Sequence, residues 1–211
     1  MTARRLGALT LDTLGDLPRS CRRCVAWELD PSATRQATAA GGAEFEKEAW
    51  LSRVLLEWGS CGRIAYVGED PAGFVTYAPP SFSPRAAGFP TSPVAADAIL
   101  LMTGWVAPEH RGGGFARMLV QGAAKDLTRR GVRAIEAFGT TVDAEDDGPP
   151  AGHACLLPVG LLLAVGFKTV RPHRRTPRLR LDLRTALSWR EDVEQALERI
   201  LGTVRVPVLT S

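Results

Sequence analysis

The run Arg111-Gly112-Gly113-Gly114-Phe115-Ala116 is where the residue types of this chain specify chemistry most clearly. Glycine has no Cβ, so consecutive glycines turn the backbone tightly and let bare amides approach a ligand. A helix starting directly after them would add its unpaired first N–H groups and the positive end of its dipole. Arg111 supplies a cation at the same place. Such a set suits a pyrophosphate. The following residues exclude two common pyrophosphate loops. A Walker loop needs Gly-Lys-Ser/Thr where Phe115 and Ala116 stand. A dinucleotide fingerprint needs a third glycine at the position of Arg117.

The flanking elements must present this loop. Ala98–Val106 is an apolar run short enough for a buried strand, and Pro108–Gly114 is the loop that follows it. The next helix runs to about Arg130, with Ala116, Leu119, Val120, Ala123 and Leu127 as its apolar stripe and Gly131 as its stop. In it, Asp126 is spaced to pair with Arg130. Val132–Phe138 reads as the returning strand.

Upstream, the pattern predicts a strand over Arg4–Leu11, a helical turn at Thr13–Leu17 and an Ala/Gly-rich connection over Ala37–Ala43. It also predicts a helix over Glu44–Trp58, with Leu51, Val54, Leu55 and Trp58 on one face. Strands follow at Arg63–Val67 and Gly73–Ala78, then a proline-rich loop from Pro79 to Pro93. Downstream come an acidic loop, Asp143–Asp147, a short helix near Val159–Val165 and a strand over Arg178–Leu183. A capped amphipathic helix begins at Ser188 and Glu191. This mixed order argues an α+β or mixed-sheet α/β fold.

Within that frame, Arg111 to Ala116 resembles the Arg/Gln-x-x-Gly-x-Gly/Ala pattern of the GNAT N-acetyltransferases. Val106-Ala107-Pro108-Glu109 resembles the strand end that precedes it in that superfamily. Val165-Gly166-Phe167-Lys168 resembles the Gly-Phe step between its late helix and a final strand. The likeness covers residues 60–185 well and 1–58 loosely. It implies one acyl-coenzyme A-binding domain over residues 1–185, with a central mixed sheet flanked by helices, and a tail helix over 186–211. It further implies acetyl-coenzyme A as co-substrate, no metal, and direct transfer of the acetyl group to a small-molecule or peptide amine. The backbone of Trp105 and Val106 would pair with the pantetheine arm. The amides of Arg111, Gly112, Gly113, Gly114, Phe115 and Ala116 would hold the pyrophosphate.

The pattern departs at one chemical position. Many family members place a tyrosine four residues before the glycine of the Gly-Phe step, as acid for the leaving thiolate; here it is Leu162. Candidates for a base are Glu136, on the strand after the cofactor helix and read as outward-facing, His110 in the loop, and His153 with Cys155 before the late helix. A rival reading is a coenzyme A-binding sensor or interaction protein without transferase activity. A third is a nucleic-acid or partner-binding protein using Arg171, His173, Arg174, Arg175, Arg178 and Arg180, with the glycine loop merely structural, against the plainer reading of that stretch as a solvated face.

Cys21-Arg22-Arg23-Cys24 leaves three alternatives open: zinc with His153 and Cys155, a redox pair activated by the arginines, or two reduced thiols. Composition narrows the class. A 211-residue chain that is 45% hydrophobic and 23% charged is ordinary for a globular protein and long enough to bury a core without staples. A net charge of +3 gives no global reason to invoke nucleic acid. Four cysteines and the lack of an apolar run of about 20 residues point to a reducing cytoplasm rather than secretion or a membrane. The arginine bias and the absence of asparagine suggest a GC-rich bacterial genome. The tail helix, with Trp189, is expected to dock on the domain or on a second copy as a homodimer.

Overall fold

A computed structural model describes residues 3–141 and 155–183. The strands are β1 (Arg4–Ala8), β2 (Gly62–Val67), β3 (Asp70–Ala78), β4 (Ala98–Val106), β5 (Ala134–Thr140), β6 (Leu157–Pro158), β7 (Lys168–Arg171) and β8 (Arg178–Asp182). The α-helices are α1 (Arg19–Arg22), α2 (Pro31–Ala39), α3 (Ala43–Glu57), α4 (Phe115–Arg129) and α5 (Val159–Ala164). One sheet runs in the order β1-β2-β3-β4-β5-β8-β7, with β6 added on β5. Neighbours are antiparallel except β4–β5 and β5–β6, which are parallel. The mixed α/β architecture agrees with the sequence reading.

Two apolar layers sandwich the sheet. On one face Leu119, Ala123 and Leu127 of α4 and Leu162 of α5 pack with Tyr77, Leu101 and Ile135. On the other, Trp50, Leu51 and Val54 of α3 pack with Trp27, Phe74, Leu100 and Phe138. Trp27, Phe89 and Phe138 stack in series, with Phe89 and Phe138 ring centroids 4.3 Å apart. The proline-rich segment therefore is not a free loop. It forms two 3-10 turns and plants Phe89 on β5.

Several expected elements shift. The Ala37–Ala43 connection is partly helix, because α2 starts where Asp30 accepts from the amides of Ser32 and Ala33 and Pro31 takes the first turn. In α3 the buried face is Lys47, Trp50, Leu51 and Val54, while Trp58 caps the helix end. Ala116 is half-buried, and Phe115 takes its place in the stripe of α4. The last strand is a hairpin, β7 and β8, rather than a single strand. Asp143–Asp147, His153 and the expected tail helix lie outside the described residues.

The feature that matters for the site is where β4 and β5 stop pairing. Their parallel ladder covers only Ala98↔Ala134, Ile99↔Ile135 and Leu100↔Glu136. Just beyond it, Thr76 faces Thr103 while Tyr77 faces Leu101, so Met102 is an extra residue on β4. Such a bulge bends its strand and raises the local twist. From Leu101 onward β4 stays with β3 and leaves β5, opening a wedge in the sheet.

Leu127 anchors α4 to this sheet and is fully buried. Leu127→Ala is expected to cost about 2–5 kcal/mol in urea unfolding, with an unchanged denaturant slope.

Candidate active site

The wedge ends on the glycine loop. Phe74↔Trp105 and Gly73↔Val106 are the last pairs of β4, and both β4 residues are half-buried. A Cβ at Gly73 would lie 2.6 Å from the carbonyl oxygen of Trp105, so only glycine permits this close pairing at the strand's end. Pro108–His110 then forms a 3-10 turn, and Arg111 folds back to donate from Nε to the Val106 carbonyl at 3.3 Å. The residue is otherwise exposed.

Gly112 and Gly114 have φ of +74° and +81°, values that favour glycine. No atom lies within 4 Å of a Cβ built on either one, so their outer face is open. The first amide bond of α4 runs from Met118 N to Gly114 O at 3.0 Å. That leaves the amides of Phe115, Ala116 and Arg117 ahead of the helical ladder, as the orphan donors of a helix start. Arg4 closes the inner side: its Nη1 donates to Gly113 O at 2.8 Å and its guanidinium lies 4.6 Å from the Phe115 ring centre. Open amides, a helix N-terminus and flanking guanidinium groups fit a pyrophosphate.

β6 bridges the wedge. It pairs with Gly139 and Thr140 of β5, and Leu157 reaches β4, where its Cδ2 would sit 3.5 Å from a Cβ at Gly104. The small cavity beside it, about 20 Å³, is lined by Cys21, Cys24, Trp27, Lys47, Thr76, Thr103 and Cys155 among others. Thr76 Oγ1 is buried there without a hydrogen-bond partner among the described residues. Lys47 and Glu28 form a buried ion pair at its edge. Cys24 Sγ and Cys155 Sγ are 3.0 Å apart.

A larger open cleft, about 670 Å³, lies on the same face of the sheet, with Phe89 in its wall. Arg35, Arg85, His173 and Arg175 line it, and among the described residues its lining contains no carboxylate. His173 Nδ1 accepts from the amides of Thr176 and Arg175, which places the ring proton on Nε2.

The acid–base candidates fare differently. Glu136 does not face solvent: it is 2% exposed, with Arg178 at 3.2 Å, Arg180 at 3.3 Å and the Ala95 amide at 3.1 Å. It is a cross-strand ion-pair centre of β5 and β8 rather than an outward-facing carboxylate. Arg178 and Arg180 accordingly leave the supposed solvated face, while Arg171, His173, Arg174 and Arg175 stay exposed. His110 is half-buried with its ring 5.2 Å from Phe115. Leu162 is fully buried in the core.

Both tyrosines are also committed. Tyr77 donates to Asp126 at 3.0 Å, and burial holds its hydroxyl well above the usual range. Tyr66 donates to Asp16 at 2.6 Å and is pushed up to about 12, first by burial. Among the described residues no group of three or more His, Cys, Asp and Glu side chains could hold a metal, and no helix is long and apolar enough to cross a membrane.

A strand pair that parts at a bulge, with a glycine loop and helix N-terminus at the end of the wedge, is an acetyltransferase architecture. The model of the Acetyltransferase (GNAT) family matches residues 24–148, more than half of the chain, and the chain belongs to that family. Its fold is similar to the PaiA N-acetyltransferase of Thermoplasma acidophilum, solved with coenzyme A (TM-score 0.54, 12% identity, 85% of this chain and 99% of that one). It is also similar to an N-acetyltransferase from Staphylococcus aureus Mu50 (TM-score 0.52, 17% identity, 86% and 99%). The putative acetyltransferase YncA of Salmonella typhimurium, solved with acetyl-coenzyme A, is a third likeness (TM-score 0.51, 12% identity, 86% and 94%). No curated protein matches the chain in sequence.

Removing the carboxylate of Glu136 leaves Arg178 and Arg180 without their shared buried partner. Glu136→Ala is expected to lose about 3–5 kcal/mol in chemical denaturation. Glu136→Gln, which keeps the shape, should fold and retain cofactor affinity; a loss of binding in a folded Glu136→Gln protein would instead place this residue in the site.

Proposed function

We propose that this protein transfers the acetyl group of acetyl-coenzyme A directly to an amine. The observation that carries the reading is the wedge between β4 and β5 leading to a glycine loop whose amides at Gly112, Gly114, Phe115 and Ala116 are outside the backbone ladder. Those of Arg111 and Gly113 brace the loop by donating to Pro108 and His110. In the wedge, the β4 edge at Trp105 and Val106 is the partner for the pantetheine arm. Arg111 and the amides of Gly112, Gly114, Phe115 and Ala116 receive the pyrophosphate, with Gly113 holding the turn through its own bond to the His110 carbonyl. When bound, the co-substrate supplies an activated thioester carbonyl.

The chain's contribution is positional. Holding an amine against a thioester converts a bimolecular encounter into a local one, a large share of the barrier. Leu162 cannot donate a proton, and the pairings of Glu136, Tyr66 and Tyr77 occupy them structurally. Proton transfer in this reading therefore passes through water. The cleft lined by Arg35, Arg85 and Arg175 supports an acceptor that carries a carboxylate or phosphate beside its amine, since guanidinium groups pair with both.

The test is chromatographic detection of free coenzyme A and acetylated product, with a panel of acidic, neutral and cationic amines. Turnover confined to amine-containing mixtures is expected, fastest with acidic amines. In Gly114→Glu, a side chain at positive φ and a negative charge enter the pyrophosphate site, and affinity for acetyl-coenzyme A should fall by at least about tenfold. Unchanged affinity would overturn the assignment of the loop.

A further inference from the structure

Three of the four cysteines meet at one place that acetyl transfer does not use. Cys24 follows α1, and Cys155 lies just before β6, 131 residues further along the chain. Their sulfur atoms are 3.0 Å apart, against about 2.05 Å in a disulfide bond. Both side chains are half-buried, so a small solute can reach them, whereas Cys61 is fully buried.

From this juxtaposition we infer that Cys24 and Cys155 form a peroxide-reactive thiol pair, which closes reversibly into a disulfide tying the α1 segment to the β6 segment.

The chemistry assigns the two sulfurs distinct roles. Either sulfur can be the donor in this contact; it holds the Cys24 thiol down against the opposing effect of burial, and the Ala26 amide and, less strongly, Lys47 favour the thiolate at Cys24. Cys155 is pushed up by the same contact and by burial, so it keeps its proton. Cys24 is thus the attacking thiolate. Its sulfur attacks one oxygen of hydrogen peroxide, the O–O bond breaks, and the departing hydroxide takes a proton to become water. Cys24 is then a sulfenic acid. The Cys155 sulfur attacks it, an S–S bond forms, the S–O bond breaks, and the leaving hydroxide takes the Cys155 proton as a second water. Two thiols are oxidised by two electrons and one peroxide is reduced. A dithiol returns the pair to its starting state.

Cys21 lines the same cavity, but burial raises its thiol, and it makes the less reactive partner. Cys61, pushed up to about 12 by burial, serves as an internal unreactive control. Because Thr103 of the bent half of β4 lines the same cavity, the disulfide would fix the wall of the wedge.

The test is treatment of the whole reduced protein with stoichiometric hydrogen peroxide, followed by mass spectrometry of intact chain and peptides. The expected result is loss of about 2 Da, reversed by dithiothreitol, with a Cys24–Cys155 cross-linked peptide. In Cys155→Ser, dimedone should label Cys24 as a sulfenic acid; in Cys24→Ser, labelling and the mass loss should both vanish. The wild-type peptide map stands if either variant fails to fold. Iodoacetamide should modify Cys24 at pH 7 at least about tenfold faster than Cys61 in the native protein. A Cys21–Cys24 disulfide in place of the expected one would overturn the inference. So would thiols unreactive to peroxide until a chelator removes a copurified metal. Failure of acetyl transfer would leave this result untouched, since the readout needs no acetyl-coenzyme A.

Discussion

The extra residue in β4 governs the rest of the molecule. Met102 sits two residues past the last parallel pair, Leu100↔Glu136, where the β4 and β5 strands part. Without the bend, β4 and β5 would satisfy each other's backbone groups along their full length, as a regular ladder does. With it, the strand end at Val106 runs into the glycine loop, and α4 starts directly after Gly114 with its first amides ahead of the helical ladder. The two apolar layers hold this open arrangement from both sides. Glu136, buried between Arg178 and Arg180, secures β5 to β8 on the edge away from the opening.

Electrostatics in this protein serves position more than proton transfer. Asp126 receives Arg63 at 2.7 Å, Arg130 at 3.5 Å and the Tyr77 hydroxyl, joining α4 to β2 and β3. Arg130 also lies 3.7 Å from the Trp58 ring centre and donates to the carbonyls of Trp58 and Ser60, which fixes the end of α3 against α4. Removing one partner from such a buried pair leaves an uncompensated charge, so these contacts are structural ties.

The sequence made the cofactor-loop region legible because several local signals agree there. The bounds of β4 match the apolar run Ala98–Val106, and the glycines, the helix stripe and the stop at Gly131 follow in order. The Gly-Phe step at Gly166-Phe167 likewise falls between α5 and β7. Elsewhere a local signal was present but outweighed: Asp30-Pro31 caps α2, yet the Ala/Gly composition that follows suggested a connection. Other features have no local trace. The burial of Glu136 depends on which face β5 turns to Arg178 and Arg180. The meeting of Cys24 with Cys155 spans 131 residues and appears only once the sheet is assembled. The bulge at Met102 is a difference in register between two strands, which an apolar run cannot announce.

Calorimetric titration of the purified protein with acetyl-coenzyme A tests the wedge and its glycine loop most directly. One site per chain in the micromolar range, weakened by competing coenzyme A, is the expected outcome. No binding at millimolar concentration would contradict the reading of residues 105–116 as an acyl-coenzyme A site.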